Sequence, residues 1–501
     1  MASIFPLHIG QPDAFNGQWG ARLVFALVAG LLLAASYALE PLWWAAWLVP
    51  APLLVGAARD RRWRWITSII ASTAVMANLA SYYIELNGVS GTAIILLLRI
   101  ASLTLALRTA EAAARGLPLA LAMLVLPMTF AALEQVTMIV SPHGAAGSLA
   151  YSQMTMPGLV QVAALGGVPA VVFLILLPGS LAGLWMTRDW TSAQRLAAIA
   201  VMAAVMLAVG LFSIGRMRTT ANTVATTLIA TNQFSGISRE WEPVWRVYGP
   251  AVRSAATRGG LVVLPEKIAL LDRKATEAAA QQVSAAARAT GATIVLGLEV
   301  RDDSFHNRAL VSAPDGSLSW YDKQRVVPGF EARDVPGTTP LRTTVAATAL
   351  GIAICKDMHI PSIGREYAGN VRAMAVPAWD FGRDGWMGAR MTVMRAVENG
   401  YAIARSSRDG LLGVYDDSGR VRGERLTLGG VTIVRAQMPV GRGQTLYGRV
   451  GDVFGWTCVI GVLFTLVATA RDGRGRFGLR FPGSRRAVAG DGEPSVEAQT
   501  L

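Results

Sequence analysis

Charge is scarce in this chain: of 501 residues, 16% are Asp, Glu, Lys or Arg, whereas 52% are hydrophobic and the mean hydropathy is +0.41. Ordinary soluble domains carry about 25% charged residues, so much of this surface must meet something other than water. Cysteine is scarcer still. Cys355 and Cys458 are the only two, far apart and without a CxxC pair. That excludes a disulfide framework or a structural zinc site. The four histidines (His8, His143, His306 and His359) are scattered, and neither an HExxH helix nor a Walker-type glycine loop occurs, so no metal or nucleotide site and no cofactor is expected. No basic n-region with a small-residue cleavage site opens the chain, so no removable signal peptide is read.

What is abundant is long apolar sequence. A membrane helix needs about 20 mostly apolar residues, and candidate spans fall at 22–39, 41–58, 66–84, 92–108, 117–135, 159–186, 195–214 and 452–470. Pro50 and Pro52 in the second, and Pro169 and Pro178 in the sixth, predict kinks. Arg99 lies within the fourth and should face the bundle or snorkel to an interface.

The net charge of +13 would suggest a nucleic-acid partner, but its arginines sit beside these spans. Arg59, Arg61, Arg62 and Arg64 follow the second, Arg108 and Arg115 the fourth, Arg188 and Arg195 the sixth, while residues 85–91 and 136–158 contain no Lys or Arg. Under the positive-inside rule this alternation puts both termini in the cytoplasm and the region after the seventh span outside. Arg471, Arg474, Arg476, Arg480, Arg485 and Arg486 after the eighth agree, and Arg216 and Arg218 dissent only mildly. No nucleic-acid partner is expected. The expected division is a membrane part over 1–218, an extracytoplasmic domain over 219–449, a last helix over 450–471, and a basic, partly disordered tail over 472–501.

Between the last two spans the pattern changes. Thr223–Ala230, Leu261–Leu264, Thr293–Val300 and Gly351–Ile354 read as strands, and Glu242–Arg258, Arg273–Ala289 and Met387–Asn399 as helices. Such alternation predicts a layered α/β domain. Reactive side chains stand at apparent strand ends, where α/β proteins assemble their sites: Glu266 closes Leu-Val-Val-Leu-Pro-Glu, Lys323 closes Tyr-Asp-Lys, and Cys355 closes Gly-Ile-Ala-Ile-Cys. A carboxylate, an ammonium and a thiol brought together could perform acyl transfer. The carboxylate would take the thiol proton and the lysine would stabilise the oxyanion. Each residue also has a plainer explanation: a buried small hydrophobe for Cys355, a solvated loop residue for Glu266, a surface lysine for Lys323. Spacing alone does not bring them together.

The three stretches, with Arg395-Ala-Val-Glu398, Gly410-Leu-Leu-Gly413 and Asp417-Ser-Gly419, resemble the nitrilase (carbon–nitrogen hydrolase) superfamily. That resemblance implies an αββα sandwich with a Glu-Lys-Cys triad. Ala132-Leu-Glu134, Tyr151-Ser-Gln153, Gln161 and Gly166-Gly-Val168, ahead of that domain, narrow it to the membrane-bound apolipoprotein N-acyltransferase family. The resemblance implies Glu266 as general base, Lys323 as oxyanion stabiliser, Cys355 as nucleophile, Glu331 as a second glutamate and Trp241 as an acyl-pocket residue, for which plain packing is an equal alternative. It implies a phospholipid acyl donor, an amine acceptor such as a lipoprotein N-terminus, a bacterial inner-membrane location with the catalytic domain on the periplasmic side, and a monomer.

Departures from the family are clear. The family's Tyr-Glu after the cysteine is Lys356-Asp357, its Val-Pro-Phe-Gly-Glu is Val327-Pro-Gly-Phe-Glu331, and its Asn-Asp-Ala-Trp is Val376-Pro-Ala-Trp379. Lys356 and Asp357 are therefore expected to support the site and Trp379 to contact substrate. The changes leave the acceptor open, and a membrane-tethered amidase that uses water is the alternative. Phe330, Trp379, Phe381 and Trp386 are candidate lid residues, and His359 is a weaker candidate base.

Overall fold

The computed structural model describes residues 15–218 and 220–472; the basic tail read from the sequence lies outside them, apart from Asp472. The first part is helical: α1 (Phe15–Ser36), α2 (Trp43–Leu48), α3 (Pro50–Ala57), α4 (Arg61–Gly116), α5 (Leu119–Val140), α6 (Pro157–Val160), α7 (Ala163–Thr187) and α8 (Ser192–Arg216). Among the described residues five helices are long and apolar enough to cross a membrane: α1, α4, α5, α7 and α8. Two shorter apolar stretches, Trp43–Ala57 and Val453–Ala468, occupy the second and eighth expected spans.

Three expectations change in detail. The spans expected at 66–84 and 92–108 are two arms of the 56-residue α4, turned at Gly88 (φ 68°, ψ 175°), a backbone conformation open to glycine and strained for other residues. The span expected at 41–58 breaks at Val49, and Pro50 opens α3, where its missing N–H costs no helical hydrogen bond. In α7 the non-helical residues are Gly166 and Gly167, ahead of Pro169. Arg99 does face inward, its guanidinium 4.1 Å from the Tyr37 ring centre.

The second part has two sheets. Its strands are β1 (Thr223–Thr231), β2 (Leu261–Val263), β3 (Leu270–Asp272), β4 (Thr293–Arg301), β5 (Phe305–Ser312), β6 (Leu318–Asp322), β7 (Leu341–Val345), β8 (Thr348–Ile352), β9 (Ala373–Trp379), β10 (Ala402–Arg408), β11 (Leu411–Tyr415), β12 (Val421–Leu426) and β13 (Val431–Pro439). One sheet runs β13-β1-β2-β4-β5-β6, with β3 also on β4; the other runs β12-β11-β10-β9-β8-β7. The centres are parallel, β1-β2-β4 and β8-β9-β10. Strands covered on both faces read as unbroken apolar runs, as in Thr293–Arg301, where eight of nine residues are buried.

Leu228, Val263 and Val295 meet Ile352, Ala375 and Ala404 between the sheets. Outside the first sheet pack α9 (Trp241–Ala255) and α10 (Arg273–Thr290). Against the second lie the short α11 (Pro361–Glu366) and α12 (Gly385–Asn399). This is an αββα sandwich joined to a helical membrane bundle.

The outer face of α12 does not meet water. Met391, Met394 and Val397 share one apolar cluster with Tyr151, Val168 and Val171 of the bundle. Polar contacts cross the same seam: Val168 N donates to Glu398 Oε1 (3.0 Å), Gln161 Nε2 to the Ser418 carbonyl (2.8 Å), and Ala145 N to the His359 carbonyl (3.0 Å). Arg216 at the end of α8 donates to the carbonyls of Val397 and Asp417, both at 3.1 Å. After β13 come α13 (Leu446–Val450) and α14 (Val453–Asp472), which returns against α5.

Candidate active site

Glu266 lies just beyond β2, where its backbone N donates to the Ala378 carbonyl (3.2 Å) at the end of β9 in the opposite sheet. Gly297 on β4 makes room for this approach, since a methyl group there would lie 2.5 Å from Glu266 Cα. Lys323 follows β6 and is fully buried, with Nζ 2.8 Å from Glu266 Oε1 and 3.0 and 2.9 Å from the two Glu331 oxygens. Glu331 is anchored in turn by Val327 N (2.7 Å). Cys355 follows β8 at φ 42°, an unusual backbone for a non-glycine residue, at the head of a 3₁₀ turn (Cys355–His359). Its Sγ is 3.6 Å from the Trp379 carbonyl. The residues expected from three distant stretches therefore converge.

The electrostatics are those of a dry site. Burial pushes the Cys355 thiol well above its ordinary range, and the Glu266 charge adds to this while Lys323 opposes it. Burial works against the Lys323 ammonium too, but the Glu266 and Glu331 carboxylates outweigh it and raise Lys323 well above the usual lysine range. For Glu331, burial is outweighed by Lys323 and Lys267, which hold its carboxyl below the ordinary range. At neutral pH the arrangement is a protonated thiol beside a charged lysine–glutamate cluster.

Asp357 does not face outward. Its carboxylate accepts hydrogen bonds from Tyr321 Oη (2.8 Å), Ile354 N (3.0 Å), Gln324 N (3.1 Å) and Arg325 N (2.8 Å), clamping the cysteine turn to the segment after Lys323. Burial raises its carboxyl to about 6. Lys356 Nζ donates to the Val326 carbonyl (2.9 Å), and burial and then Lys323 lower it to about 8. His359 is held neutral, first by burial and then by Arg405, Lys356 and Lys323.

Trp379 contributes its carbonyl to the site, while its ring stacks under the Arg408 guanidinium (4.1 Å) and its Nε1 donates to Asp409 (2.9 Å). Phe330 and Phe381 are both exposed and touch each other at 4.9 Å, one on the Glu331 loop and one after Trp379. Trp386 instead joins the apolar cluster around α12 and lies 5.2 Å from the Arg390 guanidinium. Trp241 is held elsewhere: it stacks on Trp245 (5.2 Å), donates to Gln282 (2.9 Å) and belongs to the layer under α9 and α10. None of these contacts involves Glu266, Lys323 or Cys355.

Three groups escaped sequence reasoning. Asn307 on β5 donates through Nδ2 to Glu266 Oε1 (2.6 Å) and Glu331 Oε1 (2.8 Å), bridging the carboxylates. Lys267, next to Glu266, points its ammonium at Glu331 and Asp334. Arg405 and Asp380 form a buried pair behind the cysteine, with Ser407 donating to Asp380 (2.8 Å). Asn307 stands between His306 and Arg308 on a half-polar strand, so no pattern in the sequence set it apart.

Comparison with known proteins follows the same division. The model of the apolipoprotein N-acyltransferase N-terminal domain matches residues 29–182, and that of the carbon–nitrogen hydrolase family matches 251–421. An apolipoprotein N-acyltransferase of Geobacter metallireducens is 25% identical over 494 residues, covering 87% of this chain and 93% of its own. One of Bradyrhizobium diazoefficiens is 32% identical over 146 residues, covering 27% and 25%. Among solved structures, a carbon–nitrogen hydrolase superfamily protein of Xanthomonas campestris aligns at 19% identity and TM-score 0.38, over 43% of this chain and 91% of its own. An amidase from Nesterenkonia aligns at 20% and 0.38, over 44% and 92%. With one family model on the helical bundle, the other on the sandwich, and a relative aligned along most of both, the chain is an apolipoprotein N-acyltransferase-like membrane member of the carbon–nitrogen hydrolase (nitrilase) superfamily.

Proposed function

We propose that this protein moves a fatty acyl chain from a phospholipid, through a thioester on Cys355, to an amine, the N-terminus of a lipoprotein being the acceptor that its relatives' names indicate. The observation that carries the reading is the buried Glu266–Lys323 pair (2.8 Å) set beside a cysteine at a strained strand end. Lys323 and Asn307 both engage Glu266 Oε1, which leaves Oε2 as the oxygen to receive a thiol proton.

In the first half-reaction Glu266 takes that proton as Sγ attacks the ester carbonyl. The oxyanion is stabilised by Lys323 and a backbone N–H. Collapse breaks the acyl–oxygen bond, and Glu266 returns the proton to the departing lysophospholipid alkoxide. In the second, the neutral amine attacks the thioester, Glu266 takes its proton and hands it to the departing Cys355 thiolate, which restores the resting thiol and carboxylate. A raised resting thiol suits this order, because the proton goes to Glu266 only when a carbonyl is there to be attacked.

Docking of the sandwich on the bundle supports a lipid donor. The arginine alternation supports placing the sandwich on the periplasmic side of the inner membrane, and reporter fusions after Arg218 that signal from the cytoplasm would reverse that placement. The function is tested by giving purified protein phospholipid alone. A hydroxylamine-sensitive acyl adduct on Cys355, discharged by a diacylglyceryl peptide with ping-pong kinetics, is expected. Rapid release of free fatty acid without an acceptor would establish a hydrolase instead.

A further inference from the structure

A second lysine stands behind the reactive cluster. Lys267 is 5% exposed, adopts φ 47°, and has its carbonyl 3.4 Å from Arg408 Nη1. Its Nζ lies 2.6 Å from Asp334 Oδ2, 3.1 Å from Glu331 Oε1 and 3.9 Å from Glu299 Oε1. Arg333 closes the far side, donating to Glu299 Oε1 at 2.7 Å. Three carboxylates thus converge on one buried ammonium, and one of them, Glu331, also grips Lys323 through both oxygens.

We infer that Lys267 is a positioning residue for the acyl-transfer reaction, acting through Glu331 to keep the Lys323 charge available to the oxyanion. The inference rests on the acyl-transfer reading above. Lys323 faces two carboxylates, Glu266 and Glu331, so by itself it is over-compensated and would be a weak oxyanion partner. Lys267 supplies a second positive charge beside Glu331, 3.1 Å from its Oε1, so that Lys323 does not face that carboxylate alone. Glu299 and Asp334 hold Lys267 in place from the opposite side, with Arg333 offsetting Glu299. Burial makes the balance matter, because charges at these separations are poorly screened away from water. The groups facing Lys267 are therefore Glu331, Asp334, Glu299 and Glu266, with Arg333 and Arg408 at the periphery of the cluster.

The test is the pH profile of Cys355 adduct formation from phospholipid in the full-length protein. Lys267→Met keeps the side-chain length and the same backbone demand but removes the charge. Its acid limb is expected to move up by about one pH unit, the scale of a lost charge at this range, with about a tenfold slower rate at neutral pH. Lys267→Arg keeps the charge, and its limb is expected to stay at the wild-type position even if the rate drops. Asp334→Asn releases Lys267 toward Glu331 and is expected to move the limb the other way; it stands in if Lys267→Met does not fold. An unmoved limb in both Lys267→Met and Asp334→Asn overturns the inference, as does an equal shift in Lys267→Met and Lys267→Arg. Those results leave adduct formation by wild type intact, whereas a wild type that forms no adduct removes the acyl-transfer reading and this inference with it.

Discussion

Replacing Lys323 by Met asks the most of the proposed chemistry. The ammonium is the shared partner of Glu266 and Glu331, at 2.8 to 3.0 Å from three of their oxygens. Without it the carboxylates remain joined by Asn307 Nδ2, at 2.6 and 2.8 Å. Lys267, 3.1 Å from Glu331 Oε1, is then the one ammonium left against both carboxylates, which strengthens their repulsion and favours uptake of a proton by the pair. The oxyanion has lost its cation. Losing one oxyanion donor costs about 2.7–4 kcal/mol, roughly 10²–10³ in rate. Stability falls as well, by up to about 3–5 kcal/mol for a broken buried pair, less whatever the proton recovers. In the wild type the depressed Glu331 carboxyl contributes stability that is present above about pH 4.3 and lost as the pH falls through its lowered value. In Lys323→Met that loss begins at higher pH. Intact-mass rates of adduct formation between pH 6 and 9, beside urea melts of the same samples, measure both effects. A folded Lys323→Met protein that acylates within tenfold of wild type would refute the oxyanion role.

Gly297→Ala should cripple acylation while leaving the nucleophile intact, because its methyl displaces the Glu266 backbone; iodoacetamide labelling of Cys355 beside the acylation rate reads the two separately. Asp357→Asn replaces an acceptor of four hydrogen bonds with a group that must turn an NH₂ toward N–H and O–H donors, and a loss of about 2–4 kcal/mol is expected by denaturant melt. Because the folded Asp357 carboxyl is raised to about 6, its stabilising term is full below about pH 3.9 and fades as pH rises through 6. The Asn variant lacks that slope. Cys355→Ser should abolish turnover, since a hydroxyl is a far weaker nucleophile beside a carboxylate base, whereas Cys458→Ala, in α14 against α5, should retain it; equal losses would discard the nucleophile assignment.

The strands that carry the candidate site were legible because each is a short apolar run ending in one reactive side chain, as at Leu261–Glu266 and Gly351–Cys355. What sequence could not supply was partnership. Lys267 sits beside Glu266 in the chain yet answers to Asp334 and Glu299 from two other segments, and no local pattern joins them. Asp357 was expected to support the site, but the four donors that converge on it, from Tyr321 on β6 and the backbone of Gln324, Arg325 and Ile354, could not be read from its neighbours in the chain. In the bundle, the apolar runs and their breaks were legible: the gap between 84 and 92 holds the turn at Gly88, and Pro50 marks the start of α3, whereas the break of α7 at Gly166 and Gly167 lies ahead of the prolines that predicted it.

The burial of α12 bears on how such a protein can be handled and how it can work. Fourteen of its fifteen residues are inside, and its outward stripe is covered by the bundle rather than by water. Cut free at the ends of 219–449, the sandwich would present that stripe to solvent and clump, so no soluble catalytic fragment should be obtainable by truncation. Under the proposed acyl transfer, the same attachment would fix Cys355 relative to the bundle much as a stylus is fixed above a turntable. A lipid donor would then meet the thiol at one set level, and an acceptor would have to bring its amine to that level.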